Sequence, residues 1–373
     1  MTHGSSGELD IADVAALFDR SRLRIARELR GYTQVDLARE VGSVTSASLS
    51  QFENGHARPS AATLRRLSVA LRVPVGFFAA PTQPSQPENI NGFFRSLRST
   101  SPRDRQRALA YVQLARALTM ELEKFVVLPD LDLPSVAQRV TDDTAGPEIE
   151  DLAQDVRKQW NVPRGPIDDM VRLLERHGIV TIRFRMWLDK VDAFCVSFHD
   201  RPVIALGADK GLRDRSRFDG AHELAHLIMH SSDQVGSKVI ETQAHQFAAA
   251  FLMPADDIRG ELPARADWPT LLKLKAKWHV SMAALVMRAK TLDVMDERTC
   301  RQAFKTMSVR GWRKGEPGDT GPPEMPMLLS RAIDVAAQTG ITLKGIIRRT
   351  GLPEDDIQAI IGCSRDERPR VEL

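Results

Sequence analysis

The chain has 373 residues, with 52 lysines and arginines against 49 aspartates and glutamates and a formal net charge of +3. This near balance excludes a histone-like polycation and an acidic-tail protein, but it does not exclude a local basic surface. Hydrophobic residues make up 42% and charged residues 27%, as in a globular protein of about two or three domains. The absence of a long apolar run, of a signal-peptide pattern and of paired cysteines predicts a cytoplasmic protein without a membrane partner.

Short helices joined by tight turns are predicted over residues 14–80. Apolar residues recur at helical spacing in four successive runs. Gly42 and Gly55 are predicted to end helices, whereas Thr45 and Ser60 are placed to cap the helices that follow them. The first apolar run comprises Leu17, Leu23, Ile25, Ala26 and Leu29.

Residues 81–90 are rich in Pro, Gln, Ser and Asn, a composition typical of a linker. A basic stretch follows, and a long helix is predicted over about 102–124. The arginines would add salt-dependent contacts with nucleic-acid phosphates, and a solvated linker or an ion-pairing partner for acidic helices is the alternative. The candidate phosphate contacts are Arg95, Arg98, Arg103 and Arg105.

From residue 147 the pattern mixes helices with short strands, so the predicted fold class is α+β and mostly α. A strand is predicted at 179–184, and a hairpin of 193–197 with 202–206. The predicted helices are 148–160, 165–177, 213–230 and 239–251, followed by 296–308, 326–338 and 342–362. Between them, a helical pair over 269–292 has the pattern of a second helix-turn-helix, but its largely apolar composition favours a packing role. Four segments are expected: 14–80, 81–146, 147–265 and 266–373.

Residues 33–55 have the pattern of a helix-turn-helix, two short helices with Gly42 at the turn. Small polar side chains would face outward from the second helix. The major groove of DNA admits such a helix, and glutamine pairs there with adenine. Gln34 and Thr45 stand at helix N-termini, which favour phosphate oxygens. An ordinary helical hairpin with a polar face is the alternative. The outward residues are Thr45, Ser46, Ala47, Ser48 and Gln51.

The segment 19–78 resembles the XRE, or phage-repressor-like, DNA-binding domain. This resemblance implies a lambda-repressor-like bundle of four or five helices that binds palindromic double-stranded DNA as a homodimer. It also implies base-reading positions at Ser46, Ala47 and Gln51. The residues that carry the resemblance are Thr33-Gln34, Leu37-Ala38, Gly42, Ser50-Gln51, Glu53-Asn54-Gly55 and Arg58-Pro59-Ser60.

Residues 222–226 read His-Glu-Leu-Ala-His. His222 and His226 are four residues apart on one helix face, a spacing that lets two imidazoles bind one metal ion. Glu223 lies one step around the helix, where a carboxylate can act as a general base on water. A catalytic zinc ion also needs a third protein ligand and an open position.

The third ligand is predicted to come from a second helix. Met229 and Ser232 stand where the HExxHxxGxxH variant requires glycine and histidine, which excludes that variant. Glu241 would face the first helix from the next one, and a solvated residue favoured by the helix dipole is the alternative. His230 and His245 are predicted to line the pocket or support the ligands, with a structural role as the alternative.

Residues 147–265 resemble the ImmA/IrrE family of metallopeptidases. The resemblance implies a zincin-like fold with a small sheet, Zn2+ ligands at His222, His226 and Glu241, and a catalytic base at Glu223. In the implied mechanism Glu223 takes a proton from a water that zinc polarises and passes it to the leaving amine. The residues that carry the resemblance are Arg217-Phe218, Ala221-His222-Glu223, His226-Leu227, His230, Glu241, Ala244, Phe247-Ala248-Ala249 and Leu252-Met253-Pro254.

Together these features predict a DNA-binding transcriptional regulator whose zinc-dependent peptidase domain cleaves a protein partner of repressor or antitoxin type. An edge strand, at 193–197 or 202–206, would align the substrate as an extended peptide. Two alternatives stay open. One is a non-proteolytic regulator whose zincin-like domain senses a ligand or holds zinc structurally, and the other is an antitoxin-like module.

Overall fold

The computed structural model describes residues 10–79, 100–134, 140–184, 193–207, 213–230, 237–313 and 315–362. The chain forms two compact units. The first unit comprises Met1–Pro87, Leu97–Leu128 and Met327–Leu373, and the second comprises Glu88–Ser96 and Pro129–Pro326. Within the described ranges, no helix combines the length and the apolar character needed to cross a membrane.

The first unit begins with five short helices whose ends are set by local side chains. Thr33, Thr45 and Ser60 each accept a hydrogen bond from a backbone amide in the first turn that follows. Gly42 and Gly55 end two helices in the left-handed conformation, with φ of 69° and 78°. The predicted helix ends are thus confirmed. The helices are α1 (Ile11–Ala16), α2 (Arg20–Leu29), α3 (Gln34–Val41), α4 (Ser46–Asn54) and α5 (Ala61–Leu71), followed by a 3₁₀ turn, Val75–Ala79.

The predicted first apolar run does not lie on one helix. Leu17 follows the last residue of α1 and is 59% exposed. Asp19 then takes an extended conformation and accepts a hydrogen bond of 2.8 Å from the amide of Ser21, which starts α2 afresh. The prediction for Leu17 was wrong because a helix N-cap interrupts the apparent periodicity.

Among the described residues, the first unit contains four more helices: α6 (Pro102–Leu122), α15 (Leu328–Gln338), α16 (Leu343–Thr350) and α17 (Glu354–Ile360). α6 packs against α2 and against all three C-terminal helices. The guanidinium of Arg30, which follows the last residue of α2, binds the carboxylate of Asp356 on α17 at 2.6 and 2.9 Å. The structure therefore groups the end of the predicted segment 266–373 with the N-terminal helices.

The helix predicted over 342–362 is divided at Gly351. This glycine has φ of 61°, and a Cβ there would lie 2.7 Å from the backbone nitrogen of Phe77. Only glycine fits this close approach without a shift. The residues that follow, Leu352 and Pro353, keep the chain extended before α17 begins.

The second unit contains a three-stranded sheet in the order β1-β3-β2. β1 runs parallel to β3, and β2 pairs antiparallel with β3 as the predicted hairpin. The strands are β1 (Val180–Phe184), β2 (Ala193–Val196) and β3 (Val203–Gly207). Since β3 pairs on both sides, it is not an edge, and the option of an edge at 202–206 was wrong. Among the described residues, β2 pairs on one side only.

Helices cover this sheet and supply most of the core of the second unit. α9 contacts β2 and β3 as well as α10, and α10 also packs against α7. The predicted helix 165–177 begins later, at Met170, because Asp169 caps it from an extended conformation. The fold class is α+β and mostly α, as predicted. The helices are α7 (Gly146–Gln159), α8 (Met170–Arg176), α9 (Arg213–Met229), α10 (Lys238–Leu252), α11 (Ala255–Ile258), α12 (Trp268–Trp278), α13 (Met282–Thr291) and α14 (Glu297–Val309).

Candidate functional site

His222, His226 and Glu241 converge where α9 and α10 pack together. The three residues offer ligand atoms that all lie within 4.8 Å of one another. The two Nε2 atoms are 3.1 Å apart, and the Glu241 carboxylate lies 3.3 Å from Nε2 of His222 and 3.7 Å from Nε2 of His226. Two imidazoles and one carboxylate are a donor set typical of zinc, so these residues could hold the ion.

A chain of hydrogen bonds fixes the orientation of His226. The amide nitrogen of Gln243 donates to the carbonyl of Thr141 at 2.8 Å, so its oxygen faces Nε2 of His230 at 3.3 Å. Nε2 of His230 must therefore donate, which leaves its Nδ1 as the acceptor for Nδ1–H of His226 at 3.1 Å. The lone pair of His226 Nε2 then points at the cluster, as a metal ligand requires.

The electrostatics of the cluster agree with neutral rings at His226 and His230. Burial, together with the proximity of the His222 and His230 rings, lowers the pKa of His226 to about 3. Burial lowers the pKa of His230 to about 4. For Glu241, the hydrogen bond with His222 lowers the pKa, which keeps the carboxylate ionised.

Glu223 is buried beside this cluster, with 5% of its surface exposed. Its carboxyl group interacts with the thiol of Cys195 on β2. Burial raises the pKa of Glu223, and the charge of His222 opposes that shift. A carboxyl group with a raised pKa, held next to a metal-binding set, is suited to taking up and releasing a proton.

His245 borders the cluster on its exposed side. Its ring lies 4.5 Å from the ring of His222 and 5.9 Å from that of Phe218, measured between centroids. The structure thus brings both His230 and His245 to the two candidate ligand histidines, in two different ways. His230 hydrogen-bonds to His226, whereas His245 stacks at an angle beside His222.

A buried carboxylate anchors the first turns of α9. Glu324 accepts hydrogen bonds from the guanidinium of Arg217 on α9 and from the amides of Met170 and Val171, the latter two at 2.9 and 3.2 Å. Arg213 adds a fourth contact at 3.3 Å. Glu324 therefore links the helix that carries His222 to the start of α8.

Sequence reasoning missed Gln243, Cys195 and Glu324 as parts of this region. Glu324 lies in a Pro- and Gly-rich stretch without periodicity, and its partner Arg217 is more than a hundred residues away. Gln243 carries a weak signal, since a fully polar side chain stands beside the apolar Ala244 on the buried face of α10. No such signal marks Cys195.

In the first unit, α4 presents the predicted DNA-reading side chains. Ala47 and Gln51 are exposed and Ser46 is half-buried. Thr45 caps α4 and shares a hydroxyl contact of 2.9 Å with Ser48. The cap at Thr45 therefore fixes the start of α4, and the helix exposes a short polar surface.

Gln34 and the predicted basic residues have partners or neighbours within the first unit. The amide nitrogen of Gln34 donates to Glu53 at 3.0 Å, and Glu53 also binds Arg27 at 2.6 Å. Arg103 approaches Gly31 between α2 and α3, and Arg105 makes contacts of its own within the protein. The predictions for Arg95 and Arg98 fall outside the described residues.

Comparisons with known families agree with both regions. Residues 23–78 match the helix-turn-helix family, and residues 174–290 match the peptidase family described as the IrrE N-terminal-like domain. The second match extends through α12 and α13. No curated protein matches the chain. The chain therefore joins an XRE-type helix-turn-helix DNA-binding domain to an IrrE N-terminal-like peptidase domain.

Proposed function

We propose that this protein is a transcriptional regulator that binds DNA through α4 and cleaves a protein partner, a repressor or an antitoxin-like protein, with a zinc-dependent peptidase site. The observation that carries the proposal is the convergence of three ligand atoms within 4.8 Å, with the buried Glu223 beside them. Cytoplasmic location and a homodimer on palindromic DNA belong to the same proposal.

In this proposal His222, His226 and Glu241 hold the zinc ion. The donor set fits, because both Nε2 atoms and the carboxylate already face one another and the hydrogen bonds of His230 direct His226 inward. The chemistry that zinc supplies to such a set is Lewis acidity, which lowers the pKa of water and polarises a carbonyl group.

Glu223 would act as the general base and then as the general acid. Its carboxylate takes a proton from water, and the same group returns that proton to the leaving amine. Burial, which raises the pKa of Glu223, strengthens it as a base and makes its protonated form easier to reach. The strand β2, which carries Cys195 next to Glu223, is suited to align an extended peptide by strand addition.

The proposal is tested by comparing new protein N-termini in host cells that express the wild type or Glu223→Gln. Mass spectrometry identifies the termini, and zinc is measured on both purified proteins. Cleavage seen only with the wild type, at equal zinc content, would support the proposal and identify the substrate. Equal zinc without differential cleavage, in resting and stressed cells, would favour a non-proteolytic regulator.

Removing the amide of Gln243 is expected to weaken zinc binding. In Gln243→Leu, Nε2–H of His230 loses the amide oxygen that accepts its hydrogen bond, so the ring of His230 no longer holds His226 in the tautomer that a metal ligand needs. Loss of such a supporting group lowers metal affinity by roughly 10–100-fold. Competition with a chromogenic chelator measures the affinity. Gln246→Leu, on the same helix, is the control, and equal losses in both variants would contradict the proposed hydrogen-bond chain.

Replacing Gln51 with alanine is expected to relax DNA sequence preference. Gln51 is the longest exposed polar side chain on α4, and a paired amide contributes roughly 1–3 kcal/mol of discrimination between bases. Selection of duplexes from a randomised pool, followed by salt titration, measures the effect. We expect the base preference to be lost at one base pair of each half-site. The slope of log affinity against log salt concentration is expected to stay unchanged. A changed slope with unaltered preference would indicate that Gln51 contacts phosphate instead.

A further inference from the structure

A cavity of about 680 Å³ lies next to the proposed zinc site. Its walls come from α9, α10, α13 and α14 of the second unit. Its apolar lining includes Phe218, Ala284, Met287 and Phe304. This volume falls within the range of pockets that bind small-molecule ligands, roughly 300–1,000 Å³.

The cavity continues the surface that carries the proposed zinc ligands. On α9 its lining includes Arg215, Phe218 and Asp219, which occupy the face that reaches His222 one turn later. On α10 it includes His245, four residues beyond Glu241, and the His245 ring lies 4.5 Å from that of His222. His245 thus stands between the cluster and the cavity, and the two form neighbouring parts of one surface.

The lining favours apolar groups over charged ones. Its charged residues already have partners on the protein. Asp214 binds Lys275 at 3.0 Å, and Arg288 binds Glu150 at 2.5 Å. Arg215 donates to the carbonyl of Arg313 at 3.0 Å, and Asp219 interacts electrostatically with His222. A charged guest would gain no partner from them and would lose its hydration. The half-buried aromatic rings of Phe218 and Phe304 would gain by contact with an apolar guest, because such contact removes their surface from water.

We propose that this cavity binds large apolar side chains of a polypeptide substrate, next to the peptide bond that is cut at the zinc site. The volume admits two large side chains, and on an extended peptide these belong to residues two positions apart, such as leucine and phenylalanine with one residue between them, because alternate side chains point to the same side. The inference rests on the proposed peptidase function for the role of the bound segment. Peptide binding itself is measured without cleavage, which keeps the two proposals separable.

The test uses fluorescein-labelled peptides of one Gly/Ser scaffold with two variable residues separated by one glycine: leucine and phenylalanine (the Leu-Phe peptide), two alanines, or lysine and glutamate. Their binding to the full-length Glu223→Gln protein with zinc is followed by fluorescence anisotropy. We expect the Leu-Phe peptide to bind at least roughly tenfold more tightly than the other two. Ala284→Trp and Met287→Trp fill the cavity and are expected to remove that preference. Val309→Trp, at a position 81% exposed on α14, is the control that keeps it.

Equal binding of the three peptides, binding of none, or an unchanged preference in both cavity variants would overturn the inference. Ala284→Trp disturbs a half-buried position, so the half-exposed Met287→Trp provides the second, less invasive change. The wild-type protein with the same peptides separates the two proposals. Cleavage without preference for the Leu-Phe peptide would overturn the cavity inference and support the peptidase proposal. Preference for that peptide without cleavage of any peptide or cell protein would support the cavity inference and overturn the peptidase proposal.

Discussion

Glu223→Gln is expected to lower the rate of peptide cleavage by roughly 10²–10⁴-fold, the usual contribution of a general acid–base group. Glutamine keeps the size of the side chain and its contact with Cys195, but it cannot take a proton from water. The proposed ligands His222, His226 and Glu241 are untouched, so zinc content is expected to stay at the wild-type value. Initial rates on a substrate found in cells, with zinc measured by mass spectrometry, provide the measurement.

A matched change elsewhere separates this effect from a general loss of folding. Glu297→Gln removes a carboxylate that is 64% exposed on α14, and we expect it to leave both cleavage and zinc unchanged. DNA affinity should be equal in all three proteins. Retention of most of the cleavage rate in Glu223→Gln would refute the role of Glu223 as the proton carrier.

Glu324→Ala is expected to destabilise the second unit by about 3–5 kcal/mol, the usual cost of removing one partner of a buried ion pair. The side chain of Glu324 is 4% exposed and that of Arg217 is 1% exposed, so the guanidinium would be left buried without its counter-charge. The amides of Met170 and Val171 would also lose their acceptor. A leucine at Arg217 together with alanine at Glu324 should recover part of the loss.

Tryptophan fluorescence during guanidinium unfolding is a specific probe for this change. All five tryptophans belong to the sequence range of the second unit, so their signal does not report on the first. The control is Glu297→Ala at an exposed position, for which we expect a change below about 0.5 kcal/mol. A change in the free energy of unfolding below about 0.5 kcal/mol for Glu324→Ala would mean that the contacts of the Glu324 carboxylate do not stabilise the second unit. The tryptophans are Trp160, Trp187, Trp268, Trp278 and Trp312.

Local chemistry explains the parts of the structure that the sequence predicts well. Thr33, Thr45 and Gly42 act within a few residues of their own positions, so their effect on helix ends is visible in a short window. The helical spacing of His222 and His226 likewise fixes their common face before any tertiary contact is known. The approach of Glu241 followed from the apolar stripe of α10, which has to face α9.

Contacts between distant residues explain what the sequence did not predict. The division of 342–362 depends on the backbone of Phe77, which lies against Gly351. The central place of β3 depends on its parallel pairing with β1, which sequence alternation alone does not specify. The hydrogen bond of Gln243 to Thr141 joins residues about a hundred positions apart, and no periodic pattern records such a pair.

The packing of the first unit depends on its three C-terminal helices. α15, α16 and α17 pack on α6, and Asp356 binds Arg30, yet these partners are separated in the chain by the whole second unit. During synthesis on a ribosome α1–α6 emerge before residues 129–326 of the second unit, and α15–α17 emerge after them. The first unit therefore completes its packing only after the second unit has been synthesised. Shortened translation products that stop before residue 327 lack these packing contacts, so a fully packed first unit occurs only in chains that also carry the second unit.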